Sequence, residues 1–122
     1  MEPIKPGRTV NRVILLGRLA EPPTPVPGAG EACQMILTTE ERGRNAAGEP
    51  IMRLERHLLL IEEPGLTAFC LQHLQVGMTL YVEGSLRRNE NPATDSIPVA
   101  VWVRRLMVAS WDPGGLPDDP PV

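Results

Sequence analysis

Eleven arginines and one lysine carry all the positive charge of this chain, and the arginines are the residues best suited by type and placement to do chemistry. A guanidinium is flat, forked and always charged, so it pairs with phosphate and stacks on planar rings. Arg42, Arg44, Arg53 and Arg56 lie on or beside one hairpin, and Arg44 and Arg56 are the first expected to carry binding. Arg8, Arg12, Arg18, Arg87, Arg88, Arg104 and Arg105 belong to three other strands and suit the tracking of a phosphate backbone. The plainer alternative for any one of them is a solvated strand face. Trp102, between Val101 and Val103, points to the opposite side of its strand from both, either out to a ligand or into a subunit contact.

The remaining reactive types do not assemble into a catalyst. Glu40-Glu41 and Glu62-Glu63 are adjacent pairs at element ends, and no Ser/His/Asp or phosphate-loop pattern is present. His57 and His73 lack metal-ligand spacing, and Cys33 and Cys70 form no C-x-x-C pair and read as small buried apolar residues. The expectation is a binding protein with no enzymatic activity, metal or cofactor.

A net negative charge argues at first against a polyanionic partner, but the total hides an uneven distribution. The formal net charge is −3, but Asp112, Asp118 and Asp119 follow Trp111 with no base among them, so residues 1–111 carry 12 basic and 12 acidic groups. No run of 18 apolar residues exists and the start of the chain lacks the basic-then-apolar order of a signal peptide, so a cytoplasmic protein without membrane contact is expected.

The elements that must position the arginines are mostly strands. Thr9 to Leu19 reads as one strand bending at Gly17, and the proline-rich stretch Glu21 to Gly30 reads as a loop, because proline cannot donate to a ladder. A second strand is expected from Ala32 to Glu40 and a third from Ile51 to Ile61, joined by a long exposed arm at Glu41 to Pro50. Pro64 opens a short helix carrying Leu66, Phe69, Cys70, Leu71 and Leu74, with Phe69 in the core. Strand four spans Thr79 to Arg87, with Tyr81 on its surface, and strand five follows a turn at Asn89 to Ser96 and runs from Ile97 to Ala109. This β-β-β-α-β-β order is that of an all-β, five-stranded oligonucleotide-binding (OB) barrel. Residues 1–110 form the barrel domain, and residues 111–122 are expected to be a disordered acidic tail.

Two runs, Val10 to Leu19 (VNRVILLGRL) and Val76 to Arg87 (VGMTLYVEGSLR), resemble the bacterial single-stranded-DNA-binding family, and Glu55-Arg56-His57 before an apolar run resembles its third strand. The likeness covers residues 9–109, weakly between Glu21 and Pro50. It implies a homo-oligomer, tetramer or dimer, that binds single-stranded DNA without sequence preference in replication, recombination or repair. It also implies His57 at a subunit contact. The ending Asp118-Asp119-Pro120-Pro121-Val122 is similar to the family's acidic tip, which recruits replication and repair proteins; valine in place of the terminal aromatic costs on the order of 1 kcal/mol of buried area.

The family's stacking aromatics would fall at Glu41 or Arg42, Arg56, Glu62 and Asn91, and none of these is aromatic. Each lost stack removes about 1–3 kcal/mol unless arginine planes replace it. Two rivals therefore stay open. One is a dimeric adaptor in replication restart, resembling the primosomal replication protein B group, whose barrel also has few aromatics. The other is a barrel that has lost nucleic-acid binding and works through protein contacts.

Overall fold

Alternation of apolar and polar residues along five segments decides which side chains fill the interior of this molecule. The computed structural model describes residues 7–90 and 97–111. Strands β1 (Val13–Pro25), β2 (Cys33–Arg44) and β3 (Pro50–Ile61) precede helix α1 (Pro64–His73), and β4 (Thr79–Arg88) and β5 (Val99–Ser110) follow it. They close into a barrel in the order β1-β2-β3-β5-β4. Every neighbouring pair is antiparallel except β3 and β5. This is the OB topology, in which closure removes sheet edges that would otherwise recruit foreign strands.

The interior collects every second residue of the strands: Leu19, Cys33, Met35, Leu37, Leu59, Ile61, Leu80, Val82, Val101 and Val103. Fully burying one such side chain contributes about 1.5–3 kcal/mol relative to leaving it exposed. Both cysteines are buried here as free thiols. Helix α1 closes one end of the barrel. Glu63 caps it by accepting hydrogen bonds from the amides of Gly65 (2.9 Å) and Leu66 (2.6 Å), with Pro64 where a first helical turn tolerates it. Its core-facing stripe is half-buried Leu66 with buried Cys70 and Leu74, at intervals of four. Phe69 sits one position off that stripe and is 40% exposed against the His73 ring, so it is not the core residue its type suggests.

Two boundaries differ from the sequence reading. Strand β1 does not stop before the prolines but continues through Pro22, Pro23 and Pro25. Beyond Leu19, whose backbone still pairs with Gly77 and Met78, β2 is its sole strand neighbour among the described residues, and its register slips between Leu19 and Glu21 and again between Glu21 and Thr24. A bulged, one-sided strand asks for fewer amide donors, so proline is accommodated. At the other end β1 begins at Val13, later than expected. Asn11 instead pairs its carboxamide with both backbone groups of Leu86, at 2.9 and 2.8 Å, standing in for a ladder rung.

The expected arm between strands two and three is present, built as strand and not as loop. The last β1 partner of β2 is Thr38, whereas β2 and β3 stay in unbroken register out to Arg44 opposite Pro50. The tip turns on Asn45, whose Oδ1 accepts from the amides of Ala47 (2.9 Å) and Glu49 (3.0 Å), with Gly48 at φ 79°. The expected tail, and residues 91–96 of the β4–β5 turn, lie outside the described residues.

Candidate nucleic-acid interface

Register splits the arm into two chemically different faces. Residues directly opposite in an antiparallel pair share a face. Thr38 faces Arg56, Glu40 faces Leu54, Arg42 faces Met52 and Arg44 faces Pro50. One side of the ribbon therefore presents Arg42, Arg44 and Arg56, with Glu40 among them, around Met52 and Leu54, which are 61% and 56% exposed. The other side pairs Glu41 with Arg53 and Thr39 with Glu55. Of the four hairpin arginines, three thus form a common surface and Arg53 does not. Arg44 donates to the Gly48 carbonyl at 2.8 Å, which steadies the tip, and Arg56 is ion-paired with Glu21 across the base of the arm.

The arginine face runs without interruption onto the outside of the barrel. Next along it come Ile36 opposite Leu58 and Gln34 opposite Leu60, and the parallel pairing sets Leu58 beside Ala100 and Leu60 beside Trp102. Ile36, Leu58 and Ala100 form a small apolar floor outside the main core, with Ile97 packed against it. Over this floor lies a cleft of about 290 Å³, walled by Val26, Pro27 and Ala29 on one side and Arg87 to Glu90 on the other. Arg88 lines it as well.

Arg87 also borders a second, larger cleft of about 740 Å³, formed with Arg12, Glu83, Trp102 and Arg104. Strand β5 bulges opposite Glu83, between the pairs Glu83–Arg105 and Gly84–Val103, which turns Arg104 back toward Trp102. Gly84 is required there, because a β-carbon on it would collide with the Trp102 carbonyl. The Arg87 guanidinium stands 4.0 Å from the centre of the Trp102 ring and that of Arg104 stands 5.3 Å away. Trp102 is outside the barrel, as its alternation with Val101 and Val103 requires. Its Nε1 is buried and has no hydrogen-bond partner among the described residues. Arg12 approaches Glu83 at 3.5 Å and Arg87 approaches Glu62 at 3.3 Å. The Tyr81 hydroxyl donates to Glu83 Oε1 at 2.7 Å; this bond holds the Glu83 carboxyl below the ordinary carboxylate range and pushes the Tyr81 phenol up.

Other expected residues lie elsewhere. Arg8 is exposed on the segment before β1, and Arg18 lies on the outer side of β1, opposite Thr79 and Thr38, lining neither cleft. His57 is half-buried on the side of β3 away from the arginine face, with its Nε2 2.8 Å from the Thr39 hydroxyl. The Thr39 methyl lies 3.1 Å from where a β-carbon of Gly17 would stand, so His57 sits beside the middle of β1. There, Val13 to Gly17 pair with β4 on one edge, and no strand among the described residues pairs with the other. Met52 and Leu54 were not singled out from sequence; the alternation of Met52, Leu54 and Arg56 with Arg53 and Glu55 was the signal that could have found them. Among the described residues no group of His, Cys, Asp and Glu could hold a metal ion, and no helix is long and apolar enough to cross a membrane.

No protein-family model matches the chain. Its fold is similar to that of a Plasmodium falciparum SSB solved in complex with ssDNA, with a TM-score of 0.70 at 19% identity, covering 87% of this chain and all of the other. It is also similar to a small single-stranded DNA-binding protein from Streptomyces coelicolor, with a TM-score of 0.62 at 13% identity over 82% of this chain and 95% of that one. A mitochondrial single-stranded DNA binding protein from S. cerevisiae superposes with a TM-score of 0.57 at 10% identity, covering 81% of this chain and 93% of the other. Backbone likeness at these identities establishes the shared barrel and leaves function to the side chains.

Proposed function

We propose that this barrel binds single-stranded DNA without sequence preference, as a non-catalytic protein of replication, recombination or repair. The observation that carries the reading is the unbroken outer face that begins with Arg42, Arg44 and Arg56 on the arm and runs into the cleft beside Arg87 and Arg88. Guanidinium groups spaced along a strand ladder match a polyanion, and their planes stack on bases where tryptophan is absent. The exposed Met52 and Leu54 add apolar contact for bases turned toward the sheet. The barrel's likeness to a protein solved with ssDNA supports the same reading.

The working unit is a homo-oligomer, dimer or tetramer. The edge of β1 between Val13 and Gly17, unpaired among the described residues, suits antiparallel pairing with the same segment of a second copy. Next to that edge the outer faces of β1, β4 and β5 expose Ile14 (54%), Leu16 (61%) and Met107 (45%) around Tyr81, an apolar surface that a second copy would cover. His57, beside the same edge, would then lie close to the contact. Asp118, Asp119, Pro120, Pro121 and Val122, outside the described residues, are proposed to recruit replication or repair proteins, and the protein would act where single strands are exposed on the nucleoid.

Fluorescence anisotropy of a labelled oligo-dT, titrated across a salt series, tests the binding. Affinity should fall with salt at a log–log slope of about −0.7 per phosphate contacted. No binding at low salt would refute the proposal and leave a barrel that works through protein contacts.

A further inference from the structure

The larger cleft has a composition that the smaller one lacks. Among the described residues lining the two clefts, Trp102 is the only aromatic; Arg87 and Arg104 stand over its ring, and Arg12, paired with Glu83, lines the same cleft. It also lies on the proposed strand path. Trp102 pairs with Leu60, whose side of β3 continues back through Leu58 to Arg56, and Arg87 lines both clefts as the ridge between them.

The geometry points to this cleft as a nucleotide seat in which Arg87 covers the Trp102 ring until a strand arrives. The inference rests on the single-strand reading above and extends the path beyond the arm and the smaller cleft. Arg87 stands 4.0 Å from the ring centre, over the face on which a base would stack, and it also makes an exposed pair with Glu62. Such a pair is weak in water, so a phosphate can take its place. Moving Arg87 from ring to phosphate uncovers the ring face for a base. At the ring edge Nε1 is a donor that is buried and without a partner among the described residues. Arg104 at 5.3 Å and Arg12 on the far wall are placed to hold the next phosphate. The volume, about 740 Å³, lies within the roughly 300–1,000 Å³ typical of ligand clefts.

The chain has two tryptophans, so Trp111→Phe leaves Trp102 as sole reporter without touching either cleft. This variant is titrated with oligo-dT of increasing length, following Trp102 emission and, in parallel, anisotropy of a labelled oligo. The expected result is quenching of Trp102 that saturates together with anisotropy for long oligos and disappears below a threshold length. Trp102→Leu should weaken long-oligo binding roughly tenfold, within the range of a single base–aromatic stack, and leave oligos below the threshold unchanged. Saturating binding with constant Trp102 emission and no length threshold would overturn this inference while sparing the single-strand reading. Absence of binding at every length would end both.

Discussion

The division of the arm into two faces makes a prediction that charge counting cannot. Arg42, Arg44 and Arg56 share one face, and Arg53 points the other way between Glu41 and Glu55. If the first face follows a strand, replacing its three arginines with alanine removes up to three phosphate contacts and shallows the salt slope by about 2. Extrapolated to molar salt, that slope corresponds to a loss of about 500-fold in affinity near 50 mM salt, narrowing to roughly 30-fold near 200 mM. The low-salt figure is an upper bound, because Arg56 must first leave Glu21. Both partners are more than half exposed (55% and 56%), so breaking their pair costs at most about 1 kcal/mol and reduces the effect roughly fivefold. Glu21→Gln should for the same reason tighten binding severalfold. Arg53→Ala changes the net charge as much as any single arm variant, yet should change the slope by less than about 0.3. Anisotropy titrations of oligo-dT at four or five salt concentrations measure all of these. Equal effects of Arg53→Ala and Arg56→Ala would refute the face argument and reduce the arm to a diffuse positive surface.

Gly84→Ala sets a β-carbon against the Trp102 carbonyl where β4 and β5 shift register, and should destabilise the barrel by about 1–3 kcal/mol in urea unfolding; an unchanged midpoint would contradict the close approach. The Glu63 carboxyl is held below its ordinary range by the amides of Gly65 and Leu66, so its stabilisation of α1 is present at neutral pH and lost as pH falls from the usual glutamate range toward the lowered value. Glu63→Ala should therefore lower the Tm at pH 7, with the gap from the parent protein shrinking below about pH 4; a gap independent of pH would refute the charged cap. Leu16→Glu puts a charge on the exposed face of β1 without entering the core, and should convert the proposed oligomer to monomer in light scattering while the circular dichroism of the barrel persists. A parent protein that is already monomeric would remove that surface from the proposed assembly.

Much of the barrel was legible because its signals are local. Cys33, Met35 and Leu37 alternate with Gln34 and Thr38, and Pro64 opens the helix, whatever the rest of the chain does. The prolines of β1 were misread because their tolerance depends on what lies beside the strand, and a sequence does not state how many neighbours a strand has. Phe69 was misplaced for a related reason: helical spacing identifies a stripe, and packing decides its width.

The candidate site divides in the same way. The arginines, the outward direction of Trp102 and the exposed arm follow from residue type and a period of two, which are properties of the chain itself. That Arg12 shares a cleft with Arg87, Arg104 and Trp102 follows from closure of β1 on β4, with Asn11 bonded to Leu86, and from the β5 bulge opposite Glu83. That Arg56 meets Glu21 and parts from Arg53 follows from strand register. Those contacts join residues up to 75 positions apart, and only burying a common core brings such residues together.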